Sequence, residues 1–125
     1  MAGTPDTEVL NADSRTGRKA RYEAVVDLVE ERTSGSRPAS VSKMDVLGRL
    51  HLRGIGADGM DTALDAALEH GDLLEVLGPD GRPHLVRNRL EDLRAFVTQE
   101  ADRENPRTDI IGDLNQRIER MQGRR

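Results

Sequence analysis

Apolar residues recur near the start of the chain with the spacing of an amphipathic helix. Intervals of three and four residues predict a helix from about residue 16 to residue 32. Its apolar face comprises Tyr22, Val25, Val26 and Val29. The helix is expected to end in the next segment, because Gly35 favours a C-terminal cap and Pro38 prevents the helix from resuming. Residues 1–14 lack an apolar pattern, so they are predicted to form a disordered arm.

The next part of the chain predicts a short strand over residues 39–41 and then two helices. Ser42 is a candidate N-cap for a helix over residues 43–50. The apolar side of this helix is expected to comprise Met44, Leu47, Leu50 and His51. A second helix is predicted over residues 58–70, after a glycine-containing break. Its apolar stripe comprises Met60, Ala63, Leu64, Ala67 and Leu68.

A β-hairpin is predicted directly after this helix. Two short apolar runs, Leu73–Leu77 and Pro83–Arg87, flank the turn cluster Gly78–Arg82. That cluster contains the dipeptide Asp80-Gly81, which is a strong hairpin signal between apolar runs.

Two more helices are predicted at the end of the chain, over residues 89–104 and from Thr108 to Gln122. In the last helix the apolar positions follow the spacing of a coiled-coil seam. We expect a homodimer to form through Leu93, Phe96, Val97, Ile111, Leu114, Ile118 and Met121. The alternative is that the last helix packs on the first as part of the core.

Helix, turn, helix and hairpin follow one another in the segment KMDVLGRLHLRGIGADGMDTALDAALEHGDLLEVLGPDGRPHLVR. By this order, and by the junction ALEHGDLLEV, residues 18–88 resemble the winged helix-turn-helix superfamily. They are similar to the small winged-helix regulators of haloarchaea and to the C-terminal winged helix of archaeal replicative helicases. The resemblance implies that the second helix enters the major groove of double-stranded DNA and that the hairpin, or wing, contacts the DNA backbone or minor groove.

The predicted fold class is therefore mainly α with a small β-hairpin (α+β). A winged helix-turn-helix domain is expected over residues 15–88, followed by C-terminal dimerisation helices over residues 89–125.

The charges divide the predicted DNA-binding region into three parts. Residues 41–57 hold three basic residues against one acidic residue, and residues 81–98 hold four against two. Between them, residues 58–80 hold seven acidic residues and no lysine or arginine. We expect phosphate or wing contacts from Lys43, Arg49, Arg53, Arg82, His84 and Arg87.

The acidic helix admits two interpretations. Carboxylates weaken binding to phosphates, but they accept hydrogen bonds from the amino group of cytosine. On this interpretation Asp61, Thr62 and Asp65 contact base edges. Alternatively the acidic face binds a basic protein partner, or is only a solvated surface.

Composition removes several other classes of function. Zero cysteines exclude disulfides, thiolate catalysis and Cys-ligated metal sites. No apolar run reaches the length of a membrane span, so a cytoplasmic protein is expected. The string Gly54–Gly59 matches a dinucleotide-binding pattern, but Asp58 and Asp61 at the N-terminus of the helix would repel a pyrophosphate. Neither a catalytic motif nor a metal or cofactor site is predicted, so we expect no enzyme.

The relative numbers of the different charged residues indicate the kind of organism from which the chain comes. Of 19 basic residues only Lys19 and Lys43 are lysines, and aspartate outnumbers glutamate. Such composition is typical of salt-loving archaea, although genomic codon bias would also produce it. The sequence as a whole predicts a homodimeric, sequence-specific, DNA-binding transcription regulator. The alternative is a non-enzymatic winged-helix interaction module of the replication or transcription machinery.

Overall fold

The structure is a computed structural model that describes residues 14–123. Helices and strands follow one another as α1 (Arg15–Thr33), β1 (Val41–Ser42), α2 (Lys43–Leu52), α3 (Ala57–His70), β2 (Leu73–Leu77), β3 (Pro83–Arg87), α4 (Leu90–Ala101) and α5 (Thr108–Gln122). The described chain is mainly helical with a small antiparallel sheet of three strands, which confirms the α+β prediction. The predicted disordered arm lies outside the described residues, apart from Ser14.

Ser14 belongs to the start of α1. Its Oγ accepts a hydrogen bond from the Gly17 N–H at 3.1 Å, so it satisfies one of the free N–H groups of the first turn. The apolar face predicted for this helix is buried at Val25 and Val29, which are both 0% exposed. The helix ends at Thr33, whose Oγ1 donates to the Val29 carbonyl at 2.8 Å.

The predicted hairpin is confirmed, with the register running from Leu73 opposite Arg87 to Leu77 opposite Pro83. The strand order is β1-β3-β2, so β3 lies in the centre of the sheet. Alternate side chains of a strand point to opposite faces, and neighbouring residues of β3 are buried on both. Leu85 packs into one hydrophobic core and Val86 into another, and both are 0% exposed.

Each face of the sheet therefore has its own core. The first core joins the sheet to α1, α2 and α3, and includes Val29, Val46, Leu50 and Leu64. The second core joins the sheet to α4 and α5, and includes Val76, Leu93, Phe96, Leu114 and Ile118. The C-terminal helices are thus the cover of the second face.

This arrangement gives the predicted seam of α5 a partner within the chain. Leu114 and Ile118, 6% and 7% exposed, pack with Leu93 and Phe96 of α4. Met121 and Val97 are half-buried at the edge of the same core. The helix is a core helix, as the alternative interpretation proposed, but it packs on α4 and the sheet. The homodimer stays a prediction.

The helix α2 differs from its prediction in two respects. The buried side of α2 is formed by Val46 and Leu50, whereas Met44 is 69% exposed and His51 is also exposed. The reason is that Val46 and Leu50, four residues apart, lie on the face of α2 that enters the first core. Ser42 stands at the N-cap position of α2 but makes no capping hydrogen bond with its side chain.

The helix α4 ends at Ala101 instead of at the predicted residue 104. The backbone turns there, and Arg103 and Arg107 fold back onto Glu100. Within residues 14–123 no helix has both the length and the apolar character that crossing a bilayer requires.

The burial of α5 leads to a prediction about stability. Leu114→Ala should lower the free energy of unfolding by about 2–4 kcal/mol, because it removes a buried side chain and leaves a cavity. Met44→Ala, at an exposed position, should change it by less than about 0.5 kcal/mol. Urea unfolding followed by circular dichroism measures both. Equal effects of the two substitutions would show that α5 does not belong to the core.

Candidate nucleic-acid interface

The predicted recognition helix α3 exposes one face and buries the other. Its inner stripe, Met60, Ala63, Leu64 and Ala67, is buried in the first core. Gly71 ends the helix in the left-handed conformation at φ 84°, with its N–H directed to the last helical carbonyls. The outer face is solvent-exposed at all three residues predicted to contact bases, Asp61, Thr62 and Asp65.

A cluster of basic side chains lies beside this face, and the sequence analysis missed it. A cleft of about 490 Å³ between α1 and α3 is lined by four cationic residues of α1. They are Arg15, Arg18, Lys19 and Arg21, and Thr62, Ala66 and His70 of α3 line the other side. The sequence signal was RTGRKAR, residues 15–21, which holds four basic residues and no acidic one. This segment precedes residues 41–98, the region in which contacts to DNA were expected.

The position of this basic cluster is unusual for a helix. The first turn of α1 contains no acidic residue. Arg15 and Arg18, in the first turn, oppose the helix dipole, whereas Lys19 pairs with Glu23 of the same helix at 3.8 Å. Their arrangement is one that favours a bound anion beside the exposed face of α3.

Close packing fixes α1 against α3. Arg21 is 7% exposed, and a Cβ at Gly59 would lie only 2.9 Å from its Cδ. At the next residue of α1, Tyr22 packs edge-on against His70 with ring centroids 5.8 Å apart. The Tyr22 hydroxyl donates a hydrogen bond to the carboxylate of Asp72, which directly precedes β2. The pKa of Tyr22 is raised from 10.0 to about 12. Burial of the phenol is the largest cause, and the contact with Asp72 is the second.

The cations predicted on α2 are each paired with an acidic residue. Lys43 contacts Glu75 of β2 at 3.3 Å, and Arg49 contacts Asp45 of its own helix at 3.1 Å. Arg53, just after α2, lies 4.0 Å from Glu31 of α1. Exposed pairs of this kind contribute only about 0–1 kcal/mol each, so a competing phosphate could displace the acids.

His84 was expected beside Arg82 at the wing, and Arg87 among the residues that contact DNA, but both are buried at 8% exposed. They belong to the central strand β3, which is covered on both faces. Arg87 pairs with Glu30 of α1 at 3.0 Å. The His84 ring lies 2.8 Å from the Ser40 hydroxyl and 3.0 Å from Asp80. These partners satisfy polar groups that would otherwise be buried alone.

One residue that was predicted to contact DNA, Arg82, lies at the surface of the hairpin tip. Arg82 is exposed, and its side chain forms no ion pair within residues 14–123. Its backbone N–H donates to Asp80 Oδ1 at 3.0 Å. The pKa of Asp80 is lowered, mainly by this bond and to a smaller extent by the hydrogen bond with His84. The backbone at Gly78 lies so close to the His84 ring that a Cβ there would be only 2.1 Å from His84 Cδ2.

A buried ionic cluster holds the loop from the other side. Glu100 is 2% exposed and accepts hydrogen bonds from Arg107 Nη2 at 2.6 Å and from Arg103 Nη1 at 3.0 Å. The same two guanidinium groups donate to the carbonyls of Gly78 and Pro79, at 2.8 and 3.2 Å. The bond from Arg107 is the main reason that the pKa of Glu100 falls from 4.5 to about 2. The Glu100 cluster therefore sets where Arg82 is presented.

Within the described residues, no three His, Asp or Glu side chains lie close enough together to hold a metal ion. Comparisons with protein-family models, with curated proteins and with solved structures found no match to this chain.

The Glu100 cluster predicts a pH dependence of stability. The folded pKa of about 2 lies below the ordinary value of 4.5, so the ionised carboxylate stabilises the fold above pH 4.5. That contribution is lost as the pH falls from 4.5 toward 2. Glu100→Gln should cost about 3 kcal/mol at neutral pH, because it leaves two arginines without their counter-charge. Urea unfolding at several pH values should show this cost shrinking in acid.

The exposed Glu91, on the same helix, provides the control. Glu91→Gln should leave the unfolding free energy within about 0.5 kcal/mol at every pH. A cost of Glu100→Gln that did not change with pH would mean that the ionised carboxylate is not what stabilises the loop.

The raised pKa of Tyr22 leads to a second prediction, which concerns the titration of its phenol. It is the only tyrosine, and the chain has no tryptophan, so phenolate absorbance reports on this side chain alone. The midpoint should lie near 12 in the folded protein and near 10 in urea. Since the neutral phenol makes the contact with Asp72, its contribution to stability is lost between these two values. Asp72→Asn should lower the folded midpoint, and equal midpoints with and without urea would exclude the contact.

Proposed function

We propose that this chain is a winged helix-turn-helix, sequence-specific transcription regulator that binds double-stranded DNA as a homodimer. The observation that carries the proposal is the pairing of an exposed α3 face with a basic cleft along its side. Contacts to phosphates position a protein on DNA, and contacts to base edges specify the sequence. The two surfaces offer these two kinds of contact next to each other.

The arrangement of the elements supports this proposal. Three helices precede a hairpin, and the short strand β1 pairs with β3 to complete the sheet. This is the order and pairing that a winged helix requires. In that fold α3 would lie in the major groove, and the loop carrying Arg82 would reach the DNA backbone.

Electrostatics assign different roles to the two surfaces. Asp61 and Asp65 repel phosphates, so α3 would gain affinity only through specific hydrogen bonds to bases such as the cytosine amino group. Non-specific affinity would come from Arg15 and Lys19 at one side of α3 and from Arg82 at the loop. Such a division favours specificity over affinity, because a wrong base leaves a carboxylate unpaired beside the DNA.

A second candidate function is an interaction module that binds a basic protein through α3. The observation that favours it is the row of exposed carboxylates on this helix, Asp58, Asp61, Asp65 and Glu69, which form no ion pair within residues 14–123. On this hypothesis the basic cleft of α1 has no role in binding.

DNA binding at several salt concentrations tests the proposal. A DNA site is first selected from random duplexes, and affinity is measured by fluorescence anisotropy. Each phosphate contact that is removed should reduce the slope of log affinity against log salt by about 1. We therefore expect a reduction of about 2 for the double substitution Arg15→Ala and Lys19→Ala, and of about 1 for Arg82→Ala.

Arg94→Ala is the matched control, because Arg94 is an exposed arginine of α4, which covers the other face of the sheet. It should leave the slope unchanged. Asp65→Ala should change which site is selected. If no duplex is preferred over bulk DNA, and a basic protein competes for α3 instead, the interaction module is the correct function.

A further inference from the structure

The outer edge of β2 has no strand beside it in the described part of the chain, because β2 pairs with β3 alone. The hydrogen bonds Asn88 N–H to Asp72 O and Gly78 N–H to Arg82 O mark both ends of the ladder. Antiparallel pairs alternate between bonded and non-bonded, so the backbone groups of Leu73, Glu75 and Leu77 point outward. Glu75 and Leu77 are exposed, whereas Leu73 is 1% exposed, so the backbone groups that can pair with another strand are those of Glu75 and Leu77.

A groove lies between this edge and α5, with a volume of about 360 Å³. Its apolar lining includes Leu74, Val76 and Leu114, and Leu77 at its end is 48% exposed. Its rim carries both signs of charge, with Asp113 and Arg117 on the same face of α5. Neither of these two residues forms an ion pair within residues 14–123.

The edge and the helix match in length and run in opposite directions. The α5 residues that line the groove lie between residues 110 and 120, which is about 15 Å of helix. The five residues of β2 span about 17 Å. Arg117 and Arg120 also line a second pocket with Asn88, which lies beside the start of β2. The carboxyl end of α5 is therefore at the amino end of β2.

We propose that the groove and the β2 edge form the interface with a second copy of this chain. The two β2 strands would pair antiparallel about a two-fold axis at Val76, which places Glu75 opposite Leu77 of the second copy. About four backbone hydrogen bonds form in this register. Each Glu75 side chain is already held by Lys43 of its own chain at 3.3 Å.

Charge complementarity is what selects a second copy over another partner. The two α5 helices also run antiparallel across the axis, so Asp113 of one chain faces Arg117 of the other, and the reverse pair forms as well. A surface that carries both signs of charge in this order is self-complementary under two-fold symmetry. The apolar residues on the two sides of the axis would then cover one another.

This interface deepens the proposed function, and only its consequence for DNA rests on that function. Two equal strands that pair antiparallel in one sheet have their two-fold axis perpendicular to the sheet. The first core, with α3, therefore lies on the same side of the joined sheet in both copies. Both α3 helices would face one DNA duplex.

Sedimentation equilibrium of the full chain and its variants tests the interface. The parent should be a dimer at micromolar concentration. Glu75→Pro should weaken dimerisation by about 100-fold, because proline removes an outward N–H that β3 does not use. Glu75→Ala is the control: it removes the contact with Lys43 but keeps the N–H, so the dimer should persist.

A charge exchange keeps the test valid if the proline variant does not fold. Arg117→Asp and Asp113→Arg should each weaken the dimer by about tenfold, and the double variant should restore it. A parent that is monomeric, a Glu75→Pro variant that folds and still dimerises like the parent, or a double variant that stays as weak as the single ones would each overturn the interface.

DNA binding is measured separately on the same proteins. A dimer that binds no duplex would overturn the proposed function and leave the interface standing. A monomer that binds a selected site would overturn the interface and the homodimer of the proposed function, and would leave sequence-specific DNA binding standing.

Discussion

The central strand of the sheet is buried on both faces, and the rest of the structure depends on this constraint. A strand covered on one face needs one layer of helices, whereas β3 has apolar side chains on both faces, at Leu85 and Val86. Two helical layers are therefore required, and α1–α3 and α4–α5 provide them. The polar residues of the strand must then find partners in the interior, which is why His84 and Arg87 are tied to Ser40 and Glu30.

The same constraint links the two ends of the candidate interface. The loop that presents Arg82 leaves β3 at one end, and its carbonyls are held by arginines that converge on Glu100. The α1–α3 cleft is built on the opposite layer and is fixed by Arg21, Gly59 and the contact between Tyr22 and Asp72. In the proposed function, phosphate contacts on the two sides of α3 thus depend on different cores joined by a single sheet.

Much of the fold could be predicted because local periodicity and turn residues agree. The hairpin was predicted with its observed bounds, and the limits of α5 agree with those predicted, since the Asp80-Gly81 turn and the heptad spacing are strong local signals. The second core could not be predicted, because the pattern PHLVR shows two polar residues whose partners are distant in sequence. The Glu100 cluster was hidden for a similar reason: in a chain that is 34% charged, no spacing distinguishes a buried ion pair from a solvated one. The basic cleft was visible in the sequence, but it becomes a site only once α1 packs beside α3.

The contact between Gly78 and His84 sets unequal limits on how the hairpin sequence can diverge. Any side chain at position 78 would occupy the volume of the imidazole ring, so that position admits only glycine while the histidine stays in place. Pro79 and Arg82 lie within five residues of His84 in the sequence, but they are exposed and have room for other side chains. Related chains could therefore acquire a different tip, and with it a different ligand preference, without rebuilding the strands below it.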